Sequence, residues 1–343
     1  MDKNQFIHET LDRNTRLLLE CNDNVGLMKQ AVDQLYNIYS RITGVTIDQL
    51  NQDKDILLPT GKAISTPAAA HCLLEMKRTA IFLRGINKAI SLKISEDRIN
   101  PLHVLYVGTG PYGTLLVPLL PMYASSELQV DVLDINRGSL IALLELTGKL
   151  DLEEYIDEVF HTDATNFTVN KHYDIVICET MLACLRSEPQ VAIMQNLIPQ
   201  LEDSCIFIPE EISIDAILTN PKMEMDSMLP NENKPPVIRR KSLGNIFTLS
   251  KMNLENILSH KRVTIPDNTT EFPVLKLFTT VKVFGDELLT NNDSSITLPR
   301  QFYDFRKQSA REVEFWYVQD EKPRIESCIT QHTFLCEPVK AEY

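Results

Sequence analysis

Glu179 and Glu188 are two acids nine residues apart, the first closing a strand-like run at 173–178 and the second standing just before Pro189. Two carboxylates brought to one site repel unless a cation lies between them. A guanidinium suits that place, because its planar fork donates to two acceptors at once. Such a clamp would orient the attacking nitrogen and keep positive charge away from it, so that catalysis would consist mostly of orientation and electrostatics. Taken alone, Glu188 also reads as a solvated acid at a helix start.

A second set lies upstream. The apolar run Val104–Val107 is followed by Gly108, Thr109, Gly110 and Gly113, a Gly-x-Gly-x-x-Gly turn. Glycines there let the backbone turn tightly and approach a ligand, and the helix expected over 113–120 would offer free N–H donors. Asp134 follows Gly108 by 26 residues, at the end of the next apolar run, where an acid can accept both hydroxyls of a ribose. Dinucleotide enzymes and methyltransferases share this pattern, and strand-to-helix turns without a ligand use it too. Three features favour S-adenosylmethionine. Thr162-Asp163-Ala164 closes the third strand, where Asp163 can accept from the adenine amino group while the N–H of Ala164 meets a ring nitrogen. Pro118 is awkward in a dinucleotide-binding helix and tolerated in a short one. Arg78 can reach a methionine carboxylate with a bidentate guanidinium. The plainer readings are a turn aspartate and an exposed helix arginine.

These residues meet only if several strands end at one crevice. Strands are expected at 104–107, 130–134, just before Asp163, 173–178 and 204–208, alternating with helices at 113–120, 138–148 and 189–200. Such alternation builds an α/β fold with a doubly wound parallel sheet. Ahead of it, Leu17–Leu19 and then Val32, Leu35, Ile38 and Tyr39 give residues 1–50 a helical pattern ending near Gly44. Ser65-Thr66-Pro67, a hydroxyl cap followed by a first-turn proline, predicts a helix running to about Ile90. After Leu218, residues 219–244 hold four of the eighteen prolines and read as an excursion or lid; a short helix is expected over 252–260. Antiparallel strands are expected at Val274–Phe284, Val313–Val318 and Glu326–Phe334.

With 343 residues, 43% hydrophobic and 24% charged, the chain has a globular composition. A net charge of −13 argues against nucleic acid, whose phosphates demand a basic face, and weakly suits a cationic substrate. No apolar run approaches a membrane span, and Met1–Gln5 is not a signal peptide. Seven cysteines without a C-x-x-C pair fit reduced thiols in a cytoplasmic protein. Cys328, His332 and Cys336 offer only three ligands and read better as strand alternation, so no metal is expected.

From about Ala70 to Leu218, and more loosely beyond, the chain resembles the protein arginine methyltransferases. Leu74-Glu75-Met76-Lys77-Arg78-Thr79 looks like the family's helix segment whose arginine holds the cofactor carboxylate. Val104–Gly113 with Asp134 resembles its glycine motif and ribose acid. Glu179-Thr180-Met181 through Glu188 resembles its double-glutamate hairpin at the same interval, and Cys205–Glu210 resembles the strand leaving for a β-barrel. The family's threonine-histidine-tryptophan loop has no match, since the one tryptophan is Trp316, and Ser65–His71 stands where the family carries a tyrosine- and phenylalanine-bearing helix.

The resemblance implies a Rossmann-like methyltransferase sheet with a helical N-terminal segment (1–65), an S-adenosylmethionine-binding domain (66–210) and a C-terminal β-rich, barrel-like domain (211–343) with an insertion at about 219–260. It implies N-methyl transfer to a guanidino group gripped by Glu179 and Glu188. It also implies an arm within 219–260 that would support a homodimer. Because the insertion at 219–244 could cap a closed pocket, a small guanidino acceptor is favoured, free arginine or arginine in a specific peptide. Methylation of a carboxylate, hydroxyl or amine, and a catalytically inactive cofactor-fold partner, are the rival readings.

Overall fold

The computed structural model describes residues 3–96, 101–228, 238–308, 310–330 and 337–338. Two helices open the chain, α1 (Lys3–Glu20) and α2 (Val25–Thr43). The Asn24 side chain caps α2 by accepting from the Leu27 N–H, and Gly44 ends it in the left-handed conformation. Met28, Ala31, Val32, Leu35 and Tyr39 form its buried stripe, as the sequence spacing predicts. A hairpin that the sequence did not announce follows, β1 (Ile56–Leu58) and β2 (Gly61–Ala63).

The single helix expected from Thr66 to Ile90 is two helices, α3 (Thr66–His71) and α4 (Met76–Ile94), separated by a 3₁₀ turn. At Glu75 the backbone leaves the helical region (φ −75°, ψ 75°), and Arg78 folds back onto that glutamate. The break turns the first turn of α4 toward the strand ends. Farther along α4, a side chain at Gly85 would collide with Val283 of the distant β-rich half, so only glycine permits that approach.

The central sheet holds five parallel strands, β3 (Leu102–Val107), β4 (Leu128–Asp134), β5 (Ile156–His161), β6 (Ile175–Cys178) and β7 (Ile206–Ile208), in the order β5-β4-β3-β6-β7. Helices α5 (Arg137–Lys149) and α6 (Gln190–Leu197) complete the alternation. The inner strands β3 and β6 are nearly continuous buried runs, as strands covered on both faces must be.

The expected helix over 113–120 is absent. The chain passes from a turn into a 3₁₀ segment, Val117–Met122, because Pro118 and Pro121 remove two of the N–H donors that an α-helix would need there. No regular α-helix therefore follows the glycine turn among the described residues. The N-terminal helices brace this segment: Thr15 Oγ1 donates to the Pro118 carbonyl at 3.0 Å, and the Tyr112 hydroxyl donates to the Val45 carbonyl at 2.6 Å.

The remainder is antiparallel: β8 (Glu211–Thr219), helix α7 (Pro221–Met228), then β9 (Lys241–Ser250), β10 (Lys261–Thr264), β11 (Val274–Phe284), β12 (Glu287–Leu289), β13 (Arg300–Asp304), β14 (Glu312–Val318), β15 (Arg324–Thr330) and β16 (Glu337–Pro338). One sheet has the order β12-β11-β8-β9, with β13 also on β11, and the other runs β10-β14-β15-β16. Alternating burial along β8 and β14 marks one face of each as core. The stretch 219–260 thus contains α7 and a long strand of the first sheet, and the short helix expected over 252–260 is a 3₁₀ turn, Glu255–Leu258. The strand expected over Glu326–Phe334 begins at Arg324 and is described as far as Thr330. Cys328 lies buried on it, whereas His332 and Cys336 lie outside the described residues. No described helix is long and apolar enough to cross a membrane.

Candidate functional site

Strand order reverses about β3, which has β4 on one side and β6 on the other, so a crevice opens beyond their carboxyl ends. The cavity there measures about 360 Å³. Its wall includes Arg78, Asp134, Asp163, Ala164, Glu179 and Glu188, with the turn Gly108-Thr109-Gly110 among them. Gly113 is not on the wall. A side chain there would stand 2.5 Å from Val117 Cγ2 and 2.9 Å from Leu143 Cδ1, so this glycine serves close packing behind the turn.

Asp134 ends β4 and is locked to the glycine turn. Its Oδ2 accepts from the Gly110 N–H at 2.9 Å and from Thr109 Oγ1 at 3.5 Å, while Oδ1 accepts from the Asn136 N–H at 2.7 Å. Burial pushes its carboxyl above the usual range, against the pull of those N–H groups. Asp163 Oδ1 accepts from the N–H and hydroxyl of Thr165, closing a turn of its own. The plain turn role and a place on the cavity wall coexist in this residue.

The acidic end of the cavity has a distinct electrostatic character. Arg78, in the first turn of α4, donates Nη1 to Glu75 Oε2 at 3.1 Å and Nη2 to Glu179 Oε2. Arg78, Glu179 and Glu188 are all at least nine-tenths buried. The second oxygen of Glu179 is buried without a hydrogen-bond partner. Burial pushes the Glu188 carboxyl up to about 7, even though Arg78, Lys62 and Arg186 pull it down. Glu75 and Glu179 thus bond one guanidinium whose charge also acts on Glu188, and the free oxygen of Glu179 with the Glu188 carboxyl is what a cationic guest would engage.

The loop joining the two glutamates is strained. Cys184 (φ 60°), Leu185 (φ 54°) and Ser187 (φ 67°) all adopt left-handed backbone, which costs roughly 1–3 kcal/mol per non-glycine residue. Surrounding elements enforce it. Cys184 N–H donates to Thr279 Oγ1 on β11 at 2.9 Å, the Tyr317 hydroxyl on β14 donates to the Leu185 carbonyl at 2.8 Å, and Ser187 N–H donates to the Pro323 carbonyl at 2.7 Å. From the other side, the Lys62 N–H of the β1–β2 hairpin donates to the Ser187 carbonyl at 2.8 Å. Fully buried Gln190 staples the start of the loop, accepting from the Thr180 N–H at 2.8 Å and donating to the Cys178 carbonyl at 3.1 Å.

Glu75, Lys62, Gln190 and the bracing residues Thr279 and Tyr317 escape a reading by sequence. Glu75 carried a usable signal, its i, i+3 spacing from Arg78. The others act across long sequence separations, with no local pattern to mark them.

No protein-family model matches the sequence, and no curated protein matches it significantly. Solved structures do. The chain superposes on the Trypanosoma brucei PRMT1 enzyme–prozyme heterotetrameric complex with AdoHcy with a TM-score of 0.51 at 11% identity, covering 78% of this chain and 94% of that one. For PRMT6 the TM-score is 0.50 at 15% identity, covering 76% and 98%. The fold is that of the protein arginine methyltransferases, with a parallel sheet, an N-terminal helical segment and a C-terminal antiparallel region.

Proposed function

We propose that the chain is an S-adenosylmethionine-dependent N-methyltransferase acting on a guanidino group. The observation that carries this reading is the buried acidic end of the cavity, where Glu75, Glu179 and Glu188 share one arginine and a partnerless carboxylate oxygen awaits a donor. Asp134 would accept from the ribose hydroxyls, Asp163 and the Ala164 N–H would meet the adenine, and Arg78 would hold the methionine carboxylate. When bound, S-adenosylmethionine supplies an activated methyl group on a sulfonium. Glu179 and Glu188 would take the N–H groups of the acceptor guanidinium, orient one nitrogen, and hold positive charge on the other two. The nitrogen's proton can leave after the new bond forms, so no strong base is required.

Release of S-adenosylhomocysteine in the presence of arginine, guanidinoacetate and arginine peptides tests the reading. Glu179→Gln is expected to lower kcat by on the order of 10³-fold, comparable with the loss of one oriented electrostatic partner. Cofactor affinity should not fall, since the change frees Arg78 from its bond to Glu179. A Glu179→Gln variant that keeps its activity on the acceptor would sink the clamp.

A further inference from the structure

The hairpin β1–β2 covers the same end of the cavity as Glu188. Gly61 makes this possible. Its backbone has φ 140°, and a side chain there would stand 2.9 Å from the Ser187 carbonyl oxygen, 3.0 Å from the Pro189 nitrogen and 3.1 Å from the Glu188 carbonyl carbon. Glycine therefore lets the hairpin lie against the segment that carries Glu188, and the next residue, Lys62, is pinned by its N–H to Ser187. Lys62 lines the cavity together with Leu58, and its charge acts on Glu188. Its ammonium is oriented by Asp55 at 2.5 Å, and Asp55 is itself fixed by the Ser65 N–H at 3.0 Å. An ammonium has three donors, so the bond to Asp55 leaves capacity for a ligand.

The basic side chains on the described wall are Lys62, Arg78 and His71. Arg78 bonds Glu75 and Glu179 and is the residue assigned above to the cofactor's carboxylate. Among the described lining residues Lys62 is thus a fixed cation beside the acceptor end, in a wall otherwise rich in acids that favour a guanidinium; Arg186 also acts on Glu188 but is not on the wall. An acceptor bearing a guanidinium at one end and a carboxylate at the other matches this polarity. We propose that Lys62 anchors a carboxylate carried by the guanidino substrate, and that the acceptor is accordingly a small guanidino acid such as free arginine, not arginine inside a polypeptide. This rests on the guanidino reading above and names the determinant of its substrate class.

Four acceptors separate the two ideas: arginine, N-acetylarginine (carboxylate kept), arginine amide and agmatine (carboxylate charge lost). Measurement at about pH 8.5 keeps Glu188 ionised, so that a change at Lys62 does not act through its titration. The wild-type protein is expected to favour the two carboxylate-bearing acceptors by about 10- to 100-fold in kcat/KM, mainly through KM, the range expected for one charge-assisted hydrogen bond. Lys62→Met is expected to collapse that preference by raising KM for arginine, and Lys62→Arg to restore much of it. The wild-type series alone decides the matter if Lys62→Met disturbs the hairpin. Agmatine used as well as arginine by the wild type, or a Lys62→Met loss equal for both, overturns the anchor and leaves guanidino methylation standing. Absence of methyl transfer to all four, while an arginine peptide is methylated, also overturns the anchor alone; absence for every guanidino compound overturns both.

Discussion

Glu188 illustrates how one buried acid links pH, stability and activity. Its carboxyl must be ionised to grip a cation, yet burial holds its titration near 7. For a guanidino substrate, kcat/KM is expected to rise with pH through about 7, because that parameter reports the free enzyme. The bound guanidinium would favour the ionised form, so the kcat profile should lie at lower pH. Stability runs the other way. The folded-state value exceeds the ordinary value of 4.5, so the stabilisation from the protonated carboxyl is full below 4.5 and is lost as pH rises through 7. Glu188→Gln is expected to gain about 1–3 kcal/mol over the wild type at pH 8 while losing activity. Urea melts at pH 5 and pH 8 check this: the two proteins should differ more at the higher pH. At this scale Asp134 and Gly108–Gly110 were legible, since they sit at fixed offsets on consecutive strand ends. The perturbed state of Glu188 was not, because the burial that raises its carboxyl, and Arg78 and Lys62 that pull against it, come from other parts of the chain.

Among the elements, the loop from Thr180 to Glu188 holds its shape against its own backbone preferences. Gln190 is the residue on which its start depends, because its buried amide satisfies both the Thr180 N–H and the Cys178 carbonyl. Gln190→Leu would remove the partner of one buried backbone group, the Cys178 carbonyl, and of one half-buried group, the Thr180 N–H, at about 1–3 kcal/mol each. A combined loss of about 2–5 kcal/mol in urea unfolding is expected, with kcat falling more than cofactor affinity as Glu179 loses its fixed place. An equal fall in both would show that the residue supports the whole fold and not the loop. The parallel strands and α5 were readable from apolar runs and alternation. The break at Glu75 was not, since it depends on a tertiary bond from Arg78 to Glu179 across the cavity. Pro118 and Pro121 carry the signal against a regular helix after the glycines. The hairpin at 56–63 has only three paired positions and an exposed Leu57, too short a pattern to stand out from a loop.

The molecule as a whole assigns its N-terminal helices to the cavity rather than to a separate body. Tyr36 and Tyr39 of α2 meet Tyr112 edge-on, with ring centroids 6.2 and 5.5 Å apart, and the Tyr112 hydroxyl reaches back to the Val45 carbonyl. Tyr112 lies between Gly110 and Gly113, so this aromatic cluster holds the turn that a regular helix would otherwise stabilise. Packing there and cofactor affinity should therefore be coupled. Tyr112→Ala is expected to cost about 3–5 kcal/mol of stability, as for other large buried aromatic residues. It should also weaken S-adenosylhomocysteine binding by at least about tenfold, the effect of about 1.4 kcal/mol lost from the preorganised turn. Phe247 provides the comparison: it is equally buried, on β9 of the antiparallel half, away from the cavity wall. Phe247→Ala should lower stability by a similar amount while leaving the dissociation constant unchanged under conditions where the protein stays folded. Calorimetry on both variants distinguishes the cases. Equal binding by the two would mean that the N-terminal helices stabilise the molecule without shaping its nucleotide-facing turn.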